Sequence, residues 1–254
     1  MHNAAFRVVG LDWAYLAFEV ATGDAVRAVE GARAMGIDGL SVTMPHKAAV
    51  VAAVDRLSPV AEVLGAVNTV VRLGGGLLKG DNTDGAGFLE ALRGDEGFDP
   101  AGRRCLVVGA GGAARAVVRA LGDAGAAEVV VVNRTPANAE VAAALAGPVG
   151  RVGVAGDAGE ADLVVSAVPL GMAGSADDRL PVDPAVLGPG QLVVDLVSNP
   201  AVTPLVDAAR ASGARSVNGL GMLVHQAALQ FRLWTGEEPP VDAMRSAALA
   251  ALAR

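Results

Sequence analysis

Apolar residues fall along most of this chain into short runs separated by stretches with helical spacing. Tyr15 to Val20 and Gly39 to Thr43 are short apolar segments bounded by turn residues, and their pattern predicts strands. Asp24 to Met35, rich in Ala, Arg and Val, predicts a helix between them and so a βαβ unit. Pro45 is expected to open a helix at its first turn, where a missing N–H costs nothing, and Ser58-Pro59-x-x-Glu62 has the form of another helix start. Val67 to Arg72 and Leu77 to Lys79 flank Gly74-Gly75-Gly76, a hairpin signal. A second series begins near Gly85 with a helix through Leu92, a Gly/Asp/Pro-containing link from Gly94 to Gly102, and the strand Arg104 to Val108. A glycine turn, a helix to Ala124, the strand Glu128 to Val132, a helix from Pro136 and strands at Asp162 to Ala167 and Gln191 to Leu196 follow. Strands that read as near-continuous apolar runs and alternate with helices predict a parallel sheet covered on both faces. Beyond Gly219 the pattern returns to helices, Met222 to Trp234 and Val241 to Ala253, broken at Gly236 to Pro240. Nothing repeats at a fixed period, which excludes a solenoid.

Composition narrows the class. A chain of 254 residues has room for two modest domains, and 52% hydrophobic with 19% charged residues excludes a disordered polymer. A net charge of −7 and a pI near 5.0 argue against a nucleic-acid or anionic-membrane surface. No run approaches the roughly 18 apolar residues of a membrane span. Met1 to Arg7 lacks the basic and apolar regions of a secretion signal, so the expected location is the cytoplasm. The single cysteine, Cys105, cannot form an internal disulfide and lies in the apolar run Cys105 to Val108, which points to a buried structural role.

Three polar segments carry chemistry. Lys47 closes Ser41-Val42-Thr43-Met44-Pro45-His46-Lys47, and Asp84 lies in the turn Asp81-Asn82-Thr83-Asp84-Gly85. Between them Gly65-Ala66-Val67-Asn68-Thr69 adds an amide. Interconverting an alcohol and a ketone needs a hydride carrier and a group that handles the hydroxyl proton; a lysine can pass the proton while a carboxylate holds the hydroxyl. Downstream, Gly109-Ala110-Gly111-Gly112-Ala113-Ala114 between a strand and a helix fits G-x-G-x-x-A, the turn in which small residues let backbone and helix start approach a pyrophosphate. The following strand ends in Asn133-Arg134-Thr135, where no acidic residue offers to grip a ribose 2′-hydroxyl and an arginine can pair with a 2′-phosphate. NADP is therefore favoured over NAD. Arg115 either adds to phosphate binding or covers the helix face, and Ser166-Ala167-Val168-Pro169 follows another strand and would line the cofactor cleft.

These segments, with Asn218-Gly219-Leu220-Gly221-Met222-Leu223-Val224-His225-Gln226, resemble in order and spacing the shikimate dehydrogenase family across nearly the whole chain. The resemblance implies an α/β fold in which a split substrate-binding domain, residues 1–84 and 220–254, surrounds an inserted Rossmann-like NADP-binding domain, residues 85–219, with a parallel sheet. It implies NADPH-dependent, reversible reduction of 3-dehydroshikimate to shikimate in aromatic amino-acid biosynthesis. Lys47 and Asp84 would be the catalytic pair, Thr43 and Asn68 would contact ring hydroxyls, and Gln226 would reach the substrate from the last segment. Gly109, Gly111, Gly112, Ala113, Asn133, Arg134, Thr135, Ser166, Val168 and Leu196 would line the cofactor, with Gly219 and Met222 near the nicotinamide. His46 and His225 have no metal-ligand partners and are expected to be structural. Where the family usually places a substrate-facing tyrosine this chain has Ser198, which would reach the substrate through water; Asn138 stands where a second basic residue often supports the 2′-phosphate. The family's Ser-x-Ser-Pro turn, which holds the substrate carboxylate, falls before Met1-His2-Asn3, so the expectation is a missing carboxylate anchor and an exposed sheet edge beside Tyr15 to Val20. Two alternatives stay open, a dehydrogenase of quinate or another cyclic polyol and an NADP-binding homologue without turnover. The only expected partner is the small-molecule substrate, and a homodimer is left open.

Overall fold

The computed structural model describes residues 1–174 and 179–252. The chain divides into two compact units, one of Met1–Asp84 with Val224–Leu249 and the other of Gly85–Leu223 with the residues from Ala250 onward. In the first unit α1 (His2–Val9) and α2 (Ala25–Met35) precede β1 (Gly39–Ser41), β2 (Arg56–Leu57), α3 (Pro59–Leu64), β3 (Thr69–Arg72) and β4 (Leu78–Asp81). The strands form one sheet in the order β1-β3-β4-β2. The glycine hairpin forms as its sequence predicts: β3 and β4 pair antiparallel, and the Leu73 amide donates to the Leu77 carbonyl at 2.7 Å across Gly74–Gly76. Helix α3 also starts where expected, with Pro59 in its first turn and the Ser58 hydroxyl accepting from the Ala61 amide at 3.2 Å. Val29, Val50, Ala61, Val67, Val70 and Leu78 make the core beneath this sheet.

Two sequence expectations fail in this unit. Tyr15 to Val20 is not a strand and no βαβ unit forms, because β1 pairs antiparallel with β3 and no described strand pairs with the 15–20 segment. A short apolar run suits a strand, but a strand exists only through its ladder. Here the Asn3 side chain meets the main chain instead, donating to the Tyr15 carbonyl at 2.9 Å and accepting from the Tyr15 amide at 2.7 Å. The sheet edge expected beside this segment is therefore absent, and Leu16 and Phe18 are exposed. Pro45 does not open a helix either. It sits inside a turn closed by the His46 amide on the Thr43 carbonyl at 3.0 Å, with a cis Met44–Pro45 peptide, and a short 3₁₀ turn begins only at Ala49.

Helix α4 (Asp84–Glu90) opens the passage into the second unit and widens into a π turn over Ala91–Asp95. There follow β5 (Arg104–Val108), α5 (Gly112–Asp123), β6 (Glu128–Val132), α6 (Pro136–Ala143), β7 (Gly150–Val152), β8 (Leu163–Ser166), β9 (Leu192–Asp195), α7 (Pro204–Ala211) and β10 (Arg215–Asn218). All six strands run parallel in the order β10-β9-β8-β5-β6-β7. Alternate residues of β5 serve opposite faces: Cys105 and Val107 join a core with Val117, Leu121 and Ala142, while Leu106 and Val108 join one with Leu187, Leu205 and Ala209. The edge strands β7 and β10, Gly-Arg-Val and Arg-Ser-Val-Asn, were not expected because too few of their residues are apolar to register as a run. Helix α7 starts at Thr203-Pro204, where the Thr203 hydroxyl accepts from the Val206 amide at 3.2 Å.

Helices α8 (Leu220–Thr235) and α9 (Val241–Leu252) close the chain, and Ala253, expected at the end of α9, lies outside the described residues. Within the first unit α8 meets α1 through aromatic rings, with Phe231 5.6 Å from Phe6 and Trp234 5.0 Å from the His2 imidazole between ring centroids. The Trp234 indole donates to the Val70 carbonyl at 2.9 Å, which ties α8 to β3. Among the described residues no helix is long and apolar enough to cross a membrane.

Candidate active site

The polar residues of the first unit converge where β3, β4 and the start of α4 meet α8. Asn82 builds the turn: its amide donates to the Ala66 carbonyl at 3.0 Å and its Oδ1 accepts from the Asp84 amide at 3.1 Å, which sets Asp84 at the first residue of α4. There the Asp84 carboxylate is only 3% exposed, and its Oδ2 takes a hydrogen bond from Lys47 Nζ at 2.6 Å. Its other oxygen accepts from Asn68 Nδ2 at 2.7 Å. A nearly buried carboxylate satisfied by one cation and one amide is held in a single orientation. The Lys47 side chain is 18% exposed.

Gln226 joins the cluster from α8, its Oε1 accepting from Asn68 Nδ2 at 3.1 Å although the two residues lie 158 positions apart. Of the residues expected in the substrate site, the structure thus brings together Lys47, Asn68, Asp84 and Gln226. Thr43 is exposed in the loop after β1, and Ser198 lies in the loop after β9 of the other unit. Sequence reading missed Thr83, whose hydroxyl is buried here, accepting from Asn68 Nδ2 at 3.1 Å and lying 3.2 Å from the Gln226 carbonyl. The available signal was its place inside the same Asp-Asn-Thr-Asp turn as Asp84. His46 is tied to main chain, its Nε2 3.0 Å from the Val20 carbonyl, and His225 lies 3.3 Å from Arg245. No group of three or more metal-ligating side chains occurs among the described residues.

In the second unit the expected cofactor residues collect at the carboxyl ends of the parallel strands. The switch point of the sheet lies between β5 and β8, from which the connections run outward in opposite directions, and ligands of open α/β sheets bind outside such a point. Gly109 ends β5 with φ of 117°, and a Cβ there would stand 3.0 Å from the Ala167 carbonyl and 3.2 Å from Val168. Only glycine suits both the backbone angle and that approach. Gly111 precedes α5 with no side-chain cap, open space lies where its Cβ would be, and the exposed Gly112 and half-buried Ala113 start the helix. Uncapped amides at a helix start fit a phosphate. Among the described residues the Arg115 Nε one turn along is buried without a hydrogen-bond partner, and it fits a polar ligand better than an apolar core.

Asn133 and Thr135 shape the turn after β6, the Asn133 amide donating to the Thr135 carbonyl at 3.0 Å, and Arg134 stands exposed between them. Leu196 and Met222 pack against the same apolar core. Gly219 follows β10 where a Cβ would collide with the Leu196 main chain, so these two loops touch through a glycine. Asp195 at the end of β9 is buried, which pushes its carboxyl above the usual range, partly offset by the Thr203 hydroxyl at 2.7 Å, the Val197 amide and the Ser166 hydroxyl at the end of β8.

Comparison with known proteins decides the family. Residues 1–70 match the shikimate dehydrogenase substrate binding domain, residues 95–168 match shikimate / quinate 5-dehydrogenase, and residues 219–249 match the shikimate 5'-dehydrogenase C-terminal domain. Shikimate dehydrogenase (NADP(+)) of Methanopyrus kandleri is 48% identical over 259 residues, covering 98% of this chain and 89% of that one. The chain belongs to the shikimate dehydrogenase family. Shikimate dehydrogenase (NADP(+)) of Moorella thermoacetica is likewise 48% identical over 254 residues, covering 96% of this chain and 85% of the other. In fold the chain is similar to shikimate 5-dehydrogenase from Thermus thermophilus, solved in complex with NADP(H) and shikimate, with a TM-score of 0.91 at 39% identity over 99% of this chain and 93% of that one.

Proposed function

We propose that Lys47, Asp84 and Asn68 form the catalytic centre of an NADPH-dependent enzyme that reversibly reduces 3-dehydroshikimate to shikimate. The chain is an NADP-dependent oxidoreductase acting on a CH–OH group. The observation that carries the site assignment is the 2.6 Å contact between Lys47 and a carboxylate that is nearly buried and oriented by an amide. NADPH, when bound, supplies the hydride. The chain supplies everything else the reaction needs.

In the reducing direction the Lys47 ammonium gives a proton to the oxygen that becomes the hydroxyl and recovers one from solvent before the next turnover. Asp84 keeps Lys47 aimed and accepts a hydrogen bond from the hydroxyl, while Asn68 and Gln226 offer amides to neighbouring ring hydroxyls. Oxidation runs the same transfers backwards. Gly109, Gly111, Gly112 and Ala113 would carry the cofactor's pyrophosphate at the start of α5, and Arg134 would pair with its 2′-phosphate. In this reading the enzyme works in the cytoplasm on a small-molecule substrate.

The test follows NADPH consumption with 3-dehydroshikimate for the parent chain and for Lys47→Ala and Asp84→Ala. Each substitution is expected to lower kcat by about 100- to 10,000-fold, the usual worth of a positioned acid–base group, with the Kd for NADPH unchanged. Near-normal turnover in either variant would remove that residue from the centre. Tight NADPH binding with no turnover in the parent chain would instead favour a binding protein. The match of residues 95–168 to a shikimate / quinate 5-dehydrogenase supports a second reading, quinate as substrate, which a higher kcat/KM for quinate than for shikimate would establish.

A further inference from the structure

Behind Asn68 lies a buried polar chain that the reaction itself does not touch. Gln230 on α8 is 1% exposed, and its Nε2 donates to the Thr69 hydroxyl at 3.1 Å and to the Asn68 carbonyl at 3.3 Å. Thr69, 0% exposed, lies with its Oγ1 2.7 Å from Asn68 Oδ1. A hydroxyl has one proton and two lone pairs, so a Thr69 oxygen that accepts from Gln230 is left with its proton for Asn68 Oδ1. The Thr83 amide donates to the same Oδ1 at 2.9 Å. Two donors therefore converge on one end of the Asn68 amide.

At its other end Asn68 Nδ2 faces three acceptors, Asp84 Oδ1 at 2.7 Å, Thr83 Oγ1 at 3.1 Å and Gln226 Oε1 at 3.1 Å. Two hydrogens serve three acceptors, so one contact is always underserved and can be exchanged for a substrate hydroxyl at little cost. A flipped amide would set oxygen against the Asp84 carboxylate and hydrogens against the Thr83 amide. Gln230 is itself held one way round, because the Asn68 main-chain carbonyl that its Nε2 meets can only accept.

We propose that Gln230 and Thr69 are positioning residues, forming a one-way hydrogen-bond relay that locks the Asn68 amide with its NH₂ toward Asp84 and the substrate. The relay deepens the catalytic reading above and rests on it, since its only output is Asn68. Neither Gln230 nor Thr69 touches substrate in this proposal.

The experiment measures kcat and KM for shikimate, the Kd for NADPH and the thermal midpoint for full-length Asn68→Ala, Thr69→Val, Thr69→Ser and Gln230→Met. Thr69→Val keeps the volume and loses the proton, and is expected to lower kcat/KM about tenfold, the scale of one buried hydrogen bond, with NADPH affinity unchanged. Thr69→Ser keeps the proton and loses a methyl, and is expected to turn over near the parent rate. A packing role reverses that order. In an Asn68→Ala background Thr69→Val is expected to add no further loss. Should Gln230→Met fail to fold, the valine and serine pair decides. Thr69→Val within twofold of the parent while Asn68→Ala is impaired, or Thr69→Ser as impaired as Thr69→Val, overturns the relay alone. Normal turnover in Asn68→Ala overturns the catalytic reading of Asn68 and the relay with it.

Discussion

Arg134 and Cys105 show how far one residue's surroundings set its chemistry. Arg134 stands exposed after β6, in a turn shaped by the Asn133 amide on the Thr135 carbonyl, with neither Asp nor Glu in Asn133-Arg134-Thr135 to compete for it. Arg134→Leu should therefore weaken NADPH binding by about tenfold or more, the scale of a charge-assisted contact, and leave NADH binding nearly unchanged. Fluorescence titration with both cofactors measures this, and equal weakening would show that the arginine supports the turn instead. Cys105 is fully buried in β5, and burial first, then the Asp162 charge, pushes its thiol up to about 12. The thiolate is the nucleophile, so iodoacetamide at mildly alkaline pH is expected to leave the native protein unmodified and to label it only after unfolding. Rapid labelling of the native protein would mean that β5 opens. The cysteine's buried role was legible because its neighbours Leu106, Val107 and Val108 are all apolar. Thr83 was not, since a hydroxyl inside a turn motif looks the same whether it faces solvent or a carboxamide.

At the scale of elements, the connection from β5 to α5 is the most constrained piece of the second unit. Gly109 combines a left-handed φ with main chain of the Ala167 loop at contact distance. Gly109→Ala is expected to cost about 1–3 kcal/mol of stability and to weaken NADPH binding, because the turn must shift away from Ala167 before a Cβ fits. Thermal melts and NADPH titration check this together; a variant unchanged in both would show that the turn has slack. The strands of this unit could be read from sequence because each inner one is buried on both faces and appears as a run of valines and leucines. Its edge strands β7 and β10 could not, being held by their neighbours' ladders and not by their own side chains. The same principle worked in reverse at Tyr15 to Val20, where a short apolar run met no ladder.

For the whole molecule, pH acts on the first unit through His2. Its pKa falls from 6.5 in the unfolded chain to about 4 in the fold, so the folded state prefers the neutral ring. The resulting stabilisation is complete above 6.5, is lost as pH falls toward 4, and amounts to on the order of 3 kcal/mol. Asp195 in the second unit has the opposite sense, its raised pKa adding stability as pH falls. Both tryptophans, Trp13 and Trp234, belong to the first unit, so tryptophan fluorescence during urea unfolding reports the His2 contribution there. Stability read this way is expected to drop between about pH 6.5 and 4, and His2→Phe to flatten that slope; an equal slope in the variant would assign it to other groups. The sequence by itself determined the inner parallel strands, the glycine turn, the hairpin, the start of α3 and the charged residues of the site, because each is written in adjacent positions as periodicity or turn chemistry. Only the tertiary structure decided that Gln226 and Gln230 reach Asn68 from more than 150 positions away, that β1 pairs with β3, and that Tyr15 takes its hydrogen bonds from Asn3. A local pattern specifies what a segment must bury or bond. Which partner it meets depends on where the rest of the chain returns.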